Sequence, residues 1–176
     1  MKKAQFWYGD FLIAVLILMV IGVLFVSSIT DLTSRNEILK DLTLEASDIS
    51  SVLMTEGSGS SIDWQNRIGT VGFMANNKFD SAKFDDFLSL SYEKQKYMLG
   101  TFNNIGIYLK NRNNNIVLNN FESIEDGLSL DENSLQSVDD ISRISNNLVH
   151  IKRFVFYDEN NDGKGDIYIL GVVVFR

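Results

Sequence analysis

The chain has 176 residues, 45% of them apolar, and a formal net charge of −7. It contains no cysteine and no proline, which excludes disulfides, zinc-thiolate sites and cysteine nucleophiles and leaves no proline to break a long helix. With Lys2, Lys3 and Asp10 set apart, residues 28–176 carry 14 Lys+Arg against 22 Asp+Glu, a balance that repels nucleic-acid phosphates and anionic headgroups.

Residues 11–26 are apolar throughout apart from Gly22. As a helix they span about 24 Å, and Phe6, Trp7, Tyr8 and Ile29 extend that toward a hydrocarbon core of about 30 Å. Trp7 and Tyr8 are placed as an interfacial belt, and Lys2 and Lys3 predict a cytoplasmic N-terminus. A cleaved secretory signal is the competing reading, but the run exceeds a usual h-region and no A-x-A site follows Val26. A run apolar on every face also fits a soluble core helix poorly.

The helical pattern continues past the apolar run. Ile29, Leu32, Leu39, Leu42, Ala46, Ile49 and Leu53 recur at helical steps, with Asn36 in the one polar gap, and charged residues hold the other faces. Gly57-Ser58-Gly59-Ser60-Ser61 predicts an end near Glu56. From Gln5 to Glu56 such a helix would measure about 80 Å.

Residues 57–104 read as a loop with short helices. Asp63 is placed to cap a turn before Trp64, and Phe79, Phe84 and Phe87 fall at helical spacing. Ser91 reads as an N-cap for Tyr92–Leu99, with Gln95 near the capping-box position and Gly100 as the stop. Strands follow at 105–109 and 116–118 around a polar turn. Residues 119–146 read as a loop with one short helix. Residues 148–157 and 167–175 form a hairpin. The expected fold is therefore α+β: a long membrane-anchored N-terminal helix continuing into a globular head of small helices and an antiparallel sheet.

Candidate chemistry is sparse. The hairpin turn, Asp158 through Asp166, opens as D-x-N-x-D-G, like an EF-hand calcium loop. Asp158, Asn160, Asp162 and Asp166 would be the ligands. The acid expected at the twelfth position is Ile169, and strands replace the flanking helices. Asn, Asp and Gly are also the residues of any tight turn, so calcium site and plain turn both stay open, with no other cofactor expected. The pairs Asp85-Asp86, Glu125-Asp126 and Asp139-Asp140 read as solvated surface. The sole histidine, His150, shares a strand face with Lys152 and Phe154. No P-loop, nucleophile elbow or zinc-protease motif is present, so no enzyme activity is expected, and no N-glycosylation sequon occurs. Asp10, at the edge of the apolar run, costs a few kcal/mol in a bilayer unless partnered, roughly 2.5–3.5 at the centre.

Residues 2–10, Lys-Lys-Ala-Gln-Phe-Trp-Tyr-Gly-Asp, resemble the class III signal segment of archaeal type IV pilin-like proteins. Trp64, Ile68-Gly69, Leu90-Ser-Tyr92, Leu99-Gly100 and Ile107-Tyr108-Leu109 resemble the pattern that follows the helix in that family, over roughly residues 1–110. The resemblance implies a prepilin peptidase cut after Lys3-Ala4, so that Gln5 begins the mature chain. It also implies a role for Asp10, one position beyond the glutamate of bacterial relatives, in offsetting a neighbouring subunit's α-amino group. The plan is then a leader at 1–4, a transmembrane half-helix at 5–28, an amphipathic half-helix at 29–56 and a head at 57–176. The expected function is a structural subunit, minor pilin or pseudopilin-like, of a surface filament, adhesion or secretion assembly. Its partners would be the membrane, other pilin-like subunits through the N-terminal helix and the peptidase, with no nucleic acid. It would sit in the cell membrane as a single-pass protein with its head outside, and in an extracellular filament after processing. The alternative is a single-pass membrane protein with an extracytoplasmic ligand- or calcium-binding domain that does not polymerise.

Overall fold

The computed structural model describes residues 2–58, 63–64, 66, 69–128, 135, 137–158 and 164–176, with the backbone alone at 2–7 and 126–127. The chain divides into two units, Met1–Ile38 and Leu39–Arg176. Helix α1, Lys2–Leu53, contributes to both. In the first unit it carries an 18-residue stretch of mean hydropathy 3.0 with none of it buried, long and apolar enough to cross a membrane.

The second unit is α+β, as its sequence predicts. After α1 come β1 (Met74–Ala75), β2 (Lys78–Phe79), α2 (Ser81–Leu88) and α3 (Tyr92–Met98). Then follow β3 (Asn104–Lys110), β4 (Ile116–Asn119), α4 (Phe121–Leu128), α5 (Val138–Ile144), β5 (Leu148–Tyr157) and β6 (Asp166–Phe175). The six strands form one sheet in the order β1-β2-β5-β6-β3-β4. The sheet is mixed rather than purely antiparallel, because β2 joins β5 in parallel through Phe79 and Tyr157.

Two layers of side chains define the sheet. On the inner face Val155, Leu170, Val172, Val174, Ile105 and Ile107 are buried. The same core takes in Leu42, Ala46, Ile49 and Leu53, the apolar stripe of α1. Arg153, on the inner face, donates from Nε to Ser50 Oγ at 2.9 Å and ties that stripe to β5. Of the predicted stripe, Leu42, Ala46, Ile49 and Leu53 are buried in this core, while Ile29 and Leu32 are exposed. Helix α1 also stops at Leu53, short of Glu56. There the Leu53 and Thr55 carbonyls accept from Phe73 and Met74 at 2.9 and 3.0 Å, so crossing chain takes over from the helical ladder.

Aromatic rings close the end of the core. Phe73 meets Phe79, Phe84 and Phe87 edge-on at 6.1, 5.1 and 5.4 Å between centroids, the geometry that ring quadrupoles favour. Asp80 caps α2 by accepting from the Ala82 and Lys83 amides, so Phe84 and Phe87 fall on a helix as predicted, whereas Phe79 precedes it on β2.

Ser91 takes the N-cap position of α3 but makes no side-chain cap. Gln95 does not complete a capping box; its side chain turns inward. It donates to Leu90 O at 3.0 Å and to Ser123 Oγ at 3.1 Å, and accepts from Asn120 Nδ2 at 3.2 Å. Asn120 in turn accepts from the Ile107 amide at 2.7 Å, and the Tyr92 hydroxyl accepts from the Ile105 amide at 2.9 Å. These bonds matter because β4 pairs with β3 only over Tyr108–Lys110. The rest of that edge would otherwise bury unpaired amides. Burial in this network raises the Tyr92 pKa, an effect the Ile105 hydrogen bond partly opposes.

Residues 119–146 hold two helices where one is predicted. Phe121, Ile124 and Ile141 carry them, all buried. Glu125, read from sequence as solvated, is buried and accepts from the Leu135 amide.

Phe73 sits at the centre of the aromatic cluster with no exposed surface. Phe73→Ala is expected to destabilise the fold by about 3–5 kcal/mol. Denaturant melting of the full-length protein in detergent checks this, and a loss below about 1 kcal/mol would contradict the packing described.

Candidate functional site

Three places carry the sequence candidates. The first is the N-terminal end of α1. Lys3, Ala4 and Gln5 lie within the helix, and Asp10 is exposed on it. From Phe11 to Val26 the large apolar side chains, Val15 apart, are half or more exposed, Leu18 most at 72%. This surface can do one thing chemically, which is to enter an apolar solvent or pack against another apolar surface.

The second is the β5–β6 turn. Asn160 and Asp162 lie outside the described residues. Asp158 is buried and its Oδ2 accepts from Lys78 Nζ at 3.2 Å. The Lys78 ammonium also lies 5.5 Å from the Phe156 ring centroid. Asp166 is exposed, and its Oδ1 accepts from the Ile167 amide at 2.7 Å. Among the described residues no group of three or more His, Cys, Asp or Glu stands where it could share a metal ion. The first carboxylate of the D-x-N-x-D-G series therefore serves an ammonium. A cation would have to compete with the half-exposed Lys78 for Asp158.

The third, which sequence reasoning does not assemble, lies on the outer sheet face. Tyr108 on β3 and His150 on β5 flank β6, and the Tyr108 hydroxyl meets His150 Nε2 at 2.6 Å. Their reach depends on Gly171, which pairs with Tyr108 in register. A Cβ there would fall 2.2 Å from Tyr108 Cζ, so only glycine lets the ring lie across β6. Lys110, Lys152, Ser137 and Asp139 line the same cleft, of about 200 Å³. Burial lowers the His150 pKa, and Lys152 and Lys110 lower it further; burial raises that of Tyr108. The neutral pair is thus favoured, joined by the hydrogen bond between the Tyr108 hydroxyl and Nε2. Sequence reading puts His150 on one face with Lys152 and Phe154, and the strand register agrees. Tyr108 is missed because its neighbour belongs to a strand 42 residues on and two places across the sheet.

Comparison with protein-family models, with curated proteins and with solved structures finds no match. The functional reading therefore rests on these three places alone.

Two measurements follow. Because Lys78 holds Asp158, millimolar calcium or a chelator is expected to leave the melting temperature unchanged; a rise with calcium that Asp158→Asn abolishes would establish a site. For His150, the folded state binds its proton less readily than the unfolded chain does. The stability it contributes is whole above the ordinary histidine value of about 6.5 and lost as pH falls through the lowered folded value. Between about pH 8 and pH 5 the melting temperature should fall more for the native chain than for His150→Gln. Parallel curves would refute this.

Proposed function

We propose that this protein is a membrane-anchored, pilin-like structural subunit whose copies assemble through the N-terminal helix. The observation that carries the reading is α1 itself. One helix is apolar and exposed over 11–26 and supplies the core stripe Leu42, Ala46, Ile49 and Leu53 farther along. A bilayer satisfies the first part before assembly, and the same part of neighbouring copies satisfies it after. Lys2 and Lys3 favour a cytoplasmic N-terminus and the acidic head the opposite side. The exposed Asp10 supports the assembly role that the resemblance implies, since a carboxylate at the margin of an apolar bundle is stabilised by a neighbour's α-amino group.

The test is the mature N-terminus. Mass analysis of the chain recovered from native membranes should give a product beginning at Gln5, and Asp10→Asn should reduce the assembled fraction on a sizing column about tenfold. An intact Met1, with monomers only in mild detergent, would favour instead a non-polymerising single-pass protein that displays its head outside the membrane.

A further inference from the structure

The head carries two surfaces that complement each other and lie on opposite sides of the same helix-on-sheet pair. The first is on the sheet. Helices α4 and α5 cover only part of the outer face: a Cβ at Gly106 would lie 3.0 Å from Ile141 Cδ1 and 3.4 Å from Ile124 Cδ1. The register puts Lys152, Gly171 and Tyr108 in the next row, then Phe154, Ile169 and Lys110, then Phe156 and Ile167. In these rows Phe154 is 75% exposed and Ile167 60%. Lys110 and Lys152 flank them, and no salt bridge engages either lysine among the described residues. An apolar centre with two cations at its side is unusual in a domain this acidic.

The second surface is on α1. Asp41, Leu44, Asp48 and Val52 recur at steps of three and four, so they form one stripe. It lies to one side of the buried stripe, with Leu44 58% exposed and Val52 40%, and the exposed Lys40 one turn before Leu44. Beside it Glu45 accepts from Thr101 Oγ1 and Asn103 Nδ2. Those bonds pin the loop whose tip, Phe102, is 99% exposed. Apolar groups flanked by two carboxylates are the complement of apolar groups flanked by two ammonium groups.

We infer that the Phe154–Ile167 face of one copy, with Lys110 and Lys152, docks on the Asp41–Leu44–Asp48 stripe and Phe102 of a second copy. Within one copy the two surfaces cannot meet, because one points away from the sheet and the other away from the helix. The contact is therefore heterologous, and repeated from copy to copy it propagates as a ring or an open array. The inference rests on the proposal that copies of this chain assemble, and adds that the heads have a directional contact of their own. An aromatic on each side supplies the anchor that such interfaces concentrate their affinity in. The carboxylate–lysine pairs set register and disfavour a symmetric face-to-face arrangement, which brings two lysine-bearing faces together.

The absence of native cysteine makes the test clean. Full-length chains with Leu44→Cys and with Phe154→Cys, carrying different tags, are co-expressed and oxidised in membranes. Mixed disulfide dimers are expected. Lys152→Asp should reduce them about tenfold, as should Asp48→Lys alone, and the two together should restore them. A third chain, Leu18→Cys, reports packing of the apolar helix independently. Dimers of the Leu18→Cys chain without the mixed head dimer would overturn this inference and leave the assembly proposal standing. The mixed head dimer without dimers of the Leu18→Cys chain would support the head contact and count against helix packing. A homodimer of the Phe154→Cys chain in place of the mixed species, or no head dimer at all, would overturn the inference outright.

Discussion

The second unit is organised by the burial of one stripe of α1, Leu42, Ala46, Ile49 and Leu53, in the core it shares with the inner sheet face. These residues are 2% exposed or less, and fully burying a Leu or Ile side chain is worth about 1.5–3 kcal/mol. The helix shares the covering of the inner face of β3, β5 and β6 with the aromatic cluster around Phe73. The single polar position in the stripe region, Ser50, is buried and is satisfied by Arg153. A hydrogen bond there costs little, whereas an unpaired hydroxyl at that depth would cost about 1–3 kcal/mol. Ser50 and Arg153 thus add one directional bond between α1 and β5 to the apolar packing of the stripe.

The rest follows from which face of α1 is buried. With one face of α1 committed to the sheet, Asp41, Leu44 and Asp48 must face away. With the inner sheet face committed to α1, the outer face needs a second cover. Helices α4 and α5 supply it over Gly106, where the absence of a side chain lets Ile141 and Ile124 approach. They do not extend to Phe154 and Ile167. The Tyr108–His150 hydrogen bond marks the border between covered and uncovered rows.

The elements were legible in the sequence where one periodicity ruled a segment. The β5–β6 hairpin, β3, β4 and α2 fall where alternation and helical spacing place them. What was misread has a common cause, namely side chains whose partners come from distant segments. Gln95 has the right spacing for a capping box, yet Asn120 and Ser123, more than twenty positions on, draw it inward. Glu125 sits in a polar stretch, yet the Leu135 amide takes it into the core. The stripe of α1 has the right period from Ile29 onward, but period alone does not say where the head begins. Of the candidate site, the apolar helix and the placement of His150 beside Lys152 and Phe154 were readable. Its pairing with Tyr108 was not, since it required the strand order.

The apolar part of α1 sets an energetic condition that the head cannot meet by itself. Thirteen large apolar side chains between Phe11 and Val26 are at least half exposed. Covering the exposed half of each is worth about 1 kcal/mol, roughly 10–20 kcal/mol together. That equals or exceeds the whole net stability of a typical domain, about 5–15 kcal/mol. Lipid or protein must therefore cover the segment, and the chain folds in a context that includes that cover. A bilayer discriminates little among the faces of such a helix, because lipid tails are as apolar as leucine. Under the proposed assembly, directionality between copies then comes from elsewhere. In this chain the groups able to supply it are the polar ones at the edges of apolar surface: Asp10 at the end of the run, and the carboxylates and lysines that flank the exposed side chains of the head.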